Sequence, residues 1–326
     1  MNLFVYSFHL ITSLGKLLIT LPRTEKKARL LLRGYETRFP GNFDAKTFNS
    51  SVRFHCFSKL MLNDVLLQLI GRSSNAFEIE NNAMYYTLMT LDDKLIDNKE
   101  IELETLNDLF YFPEINKGMN FDQSMTLYLH LSLLDRVADR QAYFLDLEKI
   151  HIAQINSQEQ ITNHLSIEEV VAITKKKGGN TFLMLKHILQ MPQSKEMDAM
   201  LYHFGGVIQM MNDLLDIHKD LKDGVKTFAN SQSSYLDVKK VYDQQIKLYQ
   251  ESVENLPFKS HLINNVKVVF SIIVAFGYIA IENLRKIQQG QPKLPDLNAI
   301  ERSRLIIDME KIKFIMQLPK YSYLNA

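Results

Sequence analysis

Apolar residues recur at steps of three and four along almost the whole chain, and strictly alternating runs are few, so the pattern predicts helices throughout. The opening stretch MNLFVYSFHLITSLGKLLITLP is apolar, but it lacks an early positive region and is broken by His9 and Lys16. It reads as a core-packing helix or an irregular start rather than a signal peptide. Residues 24–35 predict a helix with Thr24 as N-cap, and Pro40-Gly41-Asn42 predicts a turn. Helices follow at 47–70, 77–96, 100–109 and 122–146, punctuated by residues 71–75, by Phe112-Pro113 and by Gly118. Arg136 and Arg140 face Asp135 and Asp139 there, as a surface ion-pair ladder would. Residues 166–191 open on a capping box of Ser166 and Glu169. Gly178-Gly179 inside that run costs roughly 1 kcal/mol per glycine against alanine, which predicts a kink or a close backbone approach to a ligand. A central helix spans 198–220, and Gly224 ends its extension. Helices at 238–253 and 261–287, a Pro/Gly-bearing loop at 288–297 and an amphipathic helix at 299–318 complete the chain.

The most apolar run, VKVVFSIIVAFGYIAI, has an uncharged part shorter than the about 20 residues a comfortable span needs. It predicts a fully buried helix, with no membrane span and a cytoplasmic protein. No repeat and no strong boundary divides the chain, so the expected architecture is all-α, a single domain over 1–326. Composition narrows the chemistry. A formal net charge of +1 gives no reason to expect nucleic-acid binding. Cys56 is the only cysteine, which excludes an intrachain disulfide and a cysteine-rich zinc site and fits a reducing compartment.

Two acidic patches change the picture. Asn212, Asp216 and Asp220 fall at i, i+4 and i+8 of the central helix, with Asp213 beside that line. Apolar residues crowd the same turns, and carboxylates beside apolar space are costly unless paired or metal-bound. Stacked oxygen ligands suit a hard cation such as Mg2+. Upstream, Asp93 and Asp97 lie at i, i+4 with Asp92 adjacent. If the two helices oppose each other across an apolar pocket, their carboxylates would share Mg2+ ions, bind a diphosphate and neutralise its departing charge. The pocket would exclude water from the allylic cation left behind. Phe54, Phe57, Tyr85, Phe182 and Phe204 are candidates to face that cation. Lys177 and Lys226 are the foremost diphosphate partners, followed by Arg53. His218 should point away from the acidic edge.

These residues resemble the class I isoprenoid synthases: trans-prenyltransferases, squalene/phytoene synthases and class I terpene synthases. The segment LSIEEVVAITKKKGGNTF is similar to the prenyltransferase stretch ending in a diphosphate-binding Lys-Thr pair, with Lys177 in the lysine place and Gly178 replacing the threonine. Ile208-Gln209 stands where prenyltransferases carry Phe-Gln, which makes Gln209 a substrate-side residue. Asn212-Asp213-Leu214-Leu215-Asp216 resembles the second acidic motif and also the terpene-synthase metal motif, with Asp216 and Asp220 replacing its last two ligands. Asp216, Asp220, Gly224 and Lys226 look like the phytoene-synthase form. The resemblance covers roughly residues 50–230 and implies a helical bundle around a central apolar cavity, with a three-ion Mg2+ cluster.

Departures choose among the members. Elongating prenyltransferases carry an arginine pair soon after the first acidic motif, and residues 98–109 contain no arginine. Asn212 leans toward terpene synthases, and one extra spacer before Asp97 leaves open whether Asp92 or Asp93 binds metal. The resemblance therefore implies a Mg2+-dependent terpene synthase that ionises a linear prenyl diphosphate, in the farnesyl to geranylfarnesyl range, and cyclises or rearranges the cation. The alternatives are a two-substrate prenyltransferase, either squalene/phytoene-like or chain-elongating, and a non-catalytic helical partner of the same fold. A homodimer is compatible with each.

Overall fold

The first helix, α1, runs unbroken over Leu3–Glu36 in the computed structural model, which describes residues 3–97, 119–161, 164–307 and 317–324. Of the two expectations for the opening stretch, the core-packing helix holds, since Tyr6 and Leu10 are buried. Thr24 does not cap a new helix. Its hydroxyl donates to the Thr20 carbonyl at 3.0 Å, one turn back. Pro22 sits inside the helix and removes one backbone donor. The stripe Thr24, Ala28, Leu32 and Tyr35 is buried on one face, and that packing carries the helix through the proline.

Among the described residues all regular structure is helical, as the periodicity predicts. The chain forms two compact units. One comprises Met1–Ile11, Asp146–Met184 and Gln193–Ala326; the other comprises Thr12–Leu145 and Leu185–Pro192. No composition shift marks this division in the sequence.

In the unit that holds Thr12–Leu145, α4 (Ala76–Asp97) packs against α2 (Ala45–Ser58) and α5 (Phe121–Leu134), and touches α8 (Leu185–Ile188). The helix expected over 47–70 is α2, a wide π-turn at Lys59–Asn63, and α3 (Asp64–Leu69). A buried polar cluster pins the wide turn: the Asn63 side-chain amide donates to Asn82 Oδ1 at 2.7 Å and the Ser58 hydroxyl to the same oxygen at 2.9 Å. The single helix expected over 122–146 is broken. α5 stops at Leu134 and α6 (Arg140–Gln158) begins afresh, with the Ala142 amide donating to Asp139 Oδ1 at 2.9 Å. Half of the expected ion-pair ladder forms. Arg140 pairs with Asp135 at 2.8 Å, but Arg136 turns to Glu80 at 2.8 Å and lies over the Phe77 ring.

In the other unit, α9 (Lys195–Leu215) is the central element, packed against α7 (Ile167–Leu183), α11 (Tyr235–Glu254) and α12 (Ser260–Gln288). The capping box forms as expected, with the Glu169 amide donating to Ser166 Oγ at 3.2 Å and the Ser166 amide to Glu169 Oε2 at 2.7 Å. Phe204 of α9 stacks on Phe270 of α12 with centroids 3.9 Å apart, and Tyr249 leans on both. Among the described residues α12 alone is long and apolar enough to cross a membrane, and most of that stretch is buried inside this unit. The helix expected over 299–318 is not continuous. A single turn, α13 (Arg302–Leu305), gives way to extended backbone at Ile306. Part of the expected helix lies outside the described residues, and α14 (Leu318–Tyr323) then packs on α12, with the Tyr6 hydroxyl donating to Ser322 Oγ.

Candidate functional site

The glycines that the sequence leaves unexplained create the geometry of the second acidic patch. α7 runs continuously through Gly178-Gly179. A Cβ added at Gly178 would lie 2.2 Å from the Gly205 carbonyl oxygen, and one added at Gly205 would lie 2.3 Å from the Gly178 carbonyl oxygen. The close approach seen at Gly178 is to the backbone of α9. Gly179 meets the Tyr202 ring in the same way. Thr174 lies one turn from Gly178 on α7, while Gln209 and Asp213 lie one and two turns from Gly205 on α9. The glycine crossing brings them together.

Asp213 is buried, and both its oxygens are held: Oδ2 accepts from the Thr174 hydroxyl at 3.1 Å and Oδ1 from Gln209 Nε2 at 3.1 Å. Burial pushes its carboxyl up to about 7, although Gln209, Thr174 and the charge of Lys177 pull it down. Three residues on, the central helix bends. α9 ends at Leu215, Asp216 leaves helical geometry at φ −96 and ψ 9, and α10 resumes over Ile217–Lys222. One continuous helix over 198–220 is corrected to two. The register survives, because the Asp216 amide still donates to the Asn212 carbonyl and the Asp220 amide to the Asp216 carbonyl, each at 2.9 Å. Asn212 is half-buried and Asp216 exposed, and the packing around the Asp216 carboxylate still raises its pKa. Burial, then Asp213 and Asp216, pushes Asp220 up to about 7.

Gly224, at φ +69, reverses the chain after α10. Lys226 is then clamped: its amide donates to the Gln160 carbonyl, Gln160 Nε2 returns a bond to the Lys226 carbonyl at 2.8 Å, and Lys226 Nζ donates to the Leu165 carbonyl at 2.5 Å. One of its three ammonium donors is committed to the backbone. Lys177 is half-buried and electrostatically coupled to Asp213.

The first acidic patch, in the unit that holds Thr12–Leu145, sits at the end of α4. Asp92 is buried with neither oxygen hydrogen-bonded among the described residues, and burial followed by the charge of Asp93 holds its carboxyl well above the usual range. Asp93 is exposed. The Asp97 side chain lies outside the described part of the chain. Tyr85, two turns before Asp92, is fully buried against Tyr86, and the buried Tyr143 hydroxyl, also without a hydrogen bond, couples to Asp92. Arg53 and Phe54 are exposed on α2, with the Phe54 ring 6.4 Å from Tyr86; Phe57 is half-buried. Phe182 is buried edge-on against Phe204, inside the ring stack of the α9 core.

Among the described residues no three His, Cys, Asp or Glu side chains converge as a metal-holding group. The donor chemistry nonetheless fits a hard cation. Asp216 and Asp220 accept no hydrogen bond and enter no ion pair among the described residues, and Asp92 is a buried carboxylate with no donor. Thr174 and Tyr143 escape a reading of sequence alone. Thr174 differs from any buried helical threonine only by its one-turn offset from Gly178. Tyr143 lies beyond the break after α5 and carries no motif. Compared with known proteins, the chain matches no family model and no curated protein.

The raised carboxyls give an expected result. A group whose folded pKa lies above its unfolded value stabilises the fold below the unfolded value, and that contribution is lost as pH rises toward the folded one, at about 1.4 kcal/mol per unit of difference. For Asp213 the window runs from the ordinary 3.8 to about 7. His55 and His151, lowered by burial to about 4, act in the opposite direction over part of it. The difference between proteins isolates the carboxyl. Without metal, Asp213→Asn should match wild type in Tm near pH 4 and exceed it increasingly toward pH 8. A constant difference across that range would contradict the assignment.

Proposed function

We propose that the chain is a Mg2+-dependent class I terpene synthase, which ionises a linear prenyl diphosphate and cyclises or rearranges the resulting carbocation. One observation carries the reading: three carboxylates crowd the bend between α9 and α10, two of them free of hydrogen bonds among the described residues, with Lys177 coupled to Asp213 and Lys219 to Asp216 and Asp220. Carboxylates that repel one another are stabilised when a cation joins them or when protons do. Asn212, Asp216 and Asp220 would hold Mg2+, with Asp213 behind them; Asp92, Asp93 and Asp97 carry the resemblance to a first acidic motif. Bound Mg2+ would neutralise the diphosphate as its bond to carbon breaks. Asp213 is fixed by Thr174 and Gln209, so it enters the site already oriented. Lys177 supplies a positive charge on the same side, and the two uncommitted donors of Lys226 are available to diphosphate oxygens.

The test is incubation with farnesyl, geranylgeranyl and geranylfarnesyl diphosphates, each with and without isopentenyl diphosphate, followed by gas chromatography. The expected result is a hydrocarbon or alcohol of unchanged carbon number from at least one substrate, independent of isopentenyl diphosphate. A product longer than its substrate would instead establish a condensing prenyltransferase, and no turnover of any would leave a non-catalytic partner.

A further inference from the structure

The second half of α1 presents a face that neither acidic patch uses. α1 carries six basic residues and two acidic ones, a net charge of +4 within a chain of +1. The helix period places Ile19, Arg23, Lys26, Leu30 and Arg33 in one straight stripe, flanked by Lys27 and Arg29. No acid lies within that stripe, and Glu25 lines the groove beside it. The two acids sit at its margins and are paired there, Glu25 with Arg29 at 2.9 Å and Glu36 with Arg33 at 2.6 Å. Arg23, Lys26 and Lys27 are exposed and enter no ion pair among the described residues. Ile19 is 69 % exposed and Leu30 65 %, although Ala28 and Leu32 on the opposite face are fully buried. A shallow groove of about 360 Å³ lined by Pro22, Lys26, Leu30 and Arg33, among others, follows the same face.

We infer that this face of α1 docks on the surface of an anionic lipid bilayer. Cations would meet headgroup phosphates while Ile19 and Leu30 enter the boundary with the acyl chains. The two exposed aliphatic side chains decide against a nucleic acid. A polyphosphate backbone rewards the lysines and arginines but gives nothing for apolar side chains placed among them. The contact is peripheral, since the opposite face of α1 is occupied by core packing. It is independent of the Mg2+ reading, because none of its residues is assigned to catalysis or metal binding.

Cosedimentation of the full chain with lipid vesicles tests the inference. The chain should pellet with vesicles containing phosphatidylglycerol at low salt, release at high salt, and stay in solution with phosphatidylcholine alone. Each neutralised cation should weaken partition by about fivefold, so Lys26→Gln with Lys27→Gln should weaken it by more than about tenfold. Leu30→Ser should weaken it several-fold at every salt concentration. Both changes are at exposed positions, and an unchanged Tm confirms that the fold is kept. Equal binding to phosphatidylcholine, no binding to anionic vesicles, or variants that bind like wild type would overturn the inference. So would tighter binding to duplex DNA that Leu30→Ser leaves untouched.

Discussion

Gly205→Ala should lower the melting temperature by about 3–6 °C, a loss of roughly 2–4 kcal/mol. The new Cβ would fall 2.3 Å from the Gly178 carbonyl oxygen and 2.8 Å from Phe182 Cβ. The first of these atoms is backbone, so no side chain can swing aside to admit it. α7 and α9 would have to separate along their crossing, and Phe182 and Phe204 pack against each other close to it. Gly178→Ala should cost a comparable amount, with 2.2 Å to the Gly205 oxygen and 2.6 Å to Gln209 Cβ. The control is Gly34→Ala on α1, where a Cβ meets nothing within 4 Å and φ is not positive. There the usual preference of helices for alanine applies, and stability should rise by about 0.5–1 kcal/mol. Thermal denaturation of the three variants checks the set. A Gly205→Ala protein as stable as Gly34→Ala would mean that α7 and α9 do not meet at these glycines, and Thr174 would lose its path to Asp213.

The second large effect separates activity from stability. Asp216→Asn should reduce Mg2+-dependent diphosphate release by more than about 100-fold, the upper range for losing even an outer-shell partner of a metal ligand. Without metal the same variant should be as stable as wild type or more so. Asp216 accepts no hydrogen bond and enters no ion pair among the described residues, and desolvation raises its pKa although the charge of Lys219 lowers it. A structural carboxylate behaves the other way, because its removal strands a donor and costs stability. Asp93→Asn, at an exposed position at the end of α4, should lower activity likewise. Full activity in both variants would remove these aspartates from the proposed site. Lost activity accompanied by a large drop in Tm would make Asp216 a structural residue.

The helical class and most helix positions are legible in the sequence, because a period near 3.6 in apolar residues is what the buried stripes of α4, α9, α11 and α12 require. The capping box at Ser166 and the turn at Gly224 are equally local, and both form where the sequence places them. Interruptions are harder to see. The break between α5 and α6 has no proline or glycine, and it depends on Asp139 capping a new helix and on Arg136 reaching Glu80, a partner 56 residues away. The bend at Asp216 is hidden because its hydrogen-bond register is continuous. The helix through Pro22 errs in the other direction. There a local breaker yields to burial of Ala28 and Leu32, which only tertiary packing supplies. At the candidate site, spacing along one helix is enough to single out Asp213, Asp216 and Asp220. It does not reveal which of them is buried, since that follows from the crossing with α7. The same holds for Asp92, whose burial beside an exposed Asp93 depends on the side of α4 that faces α2 and α5.

The most direct test of the proposed chemistry is release of inorganic pyrophosphate from farnesyl and geranylgeranyl diphosphates by the purified wild-type chain, with Mg2+ present and after its removal by a chelator. The account predicts steady turnover of at least one substrate with Mg2+, none after chelation, and recovery when Mg2+ is restored. Release at the same rate in chelator, or no release from any prenyl diphosphate in saturating Mg2+, would contradict it.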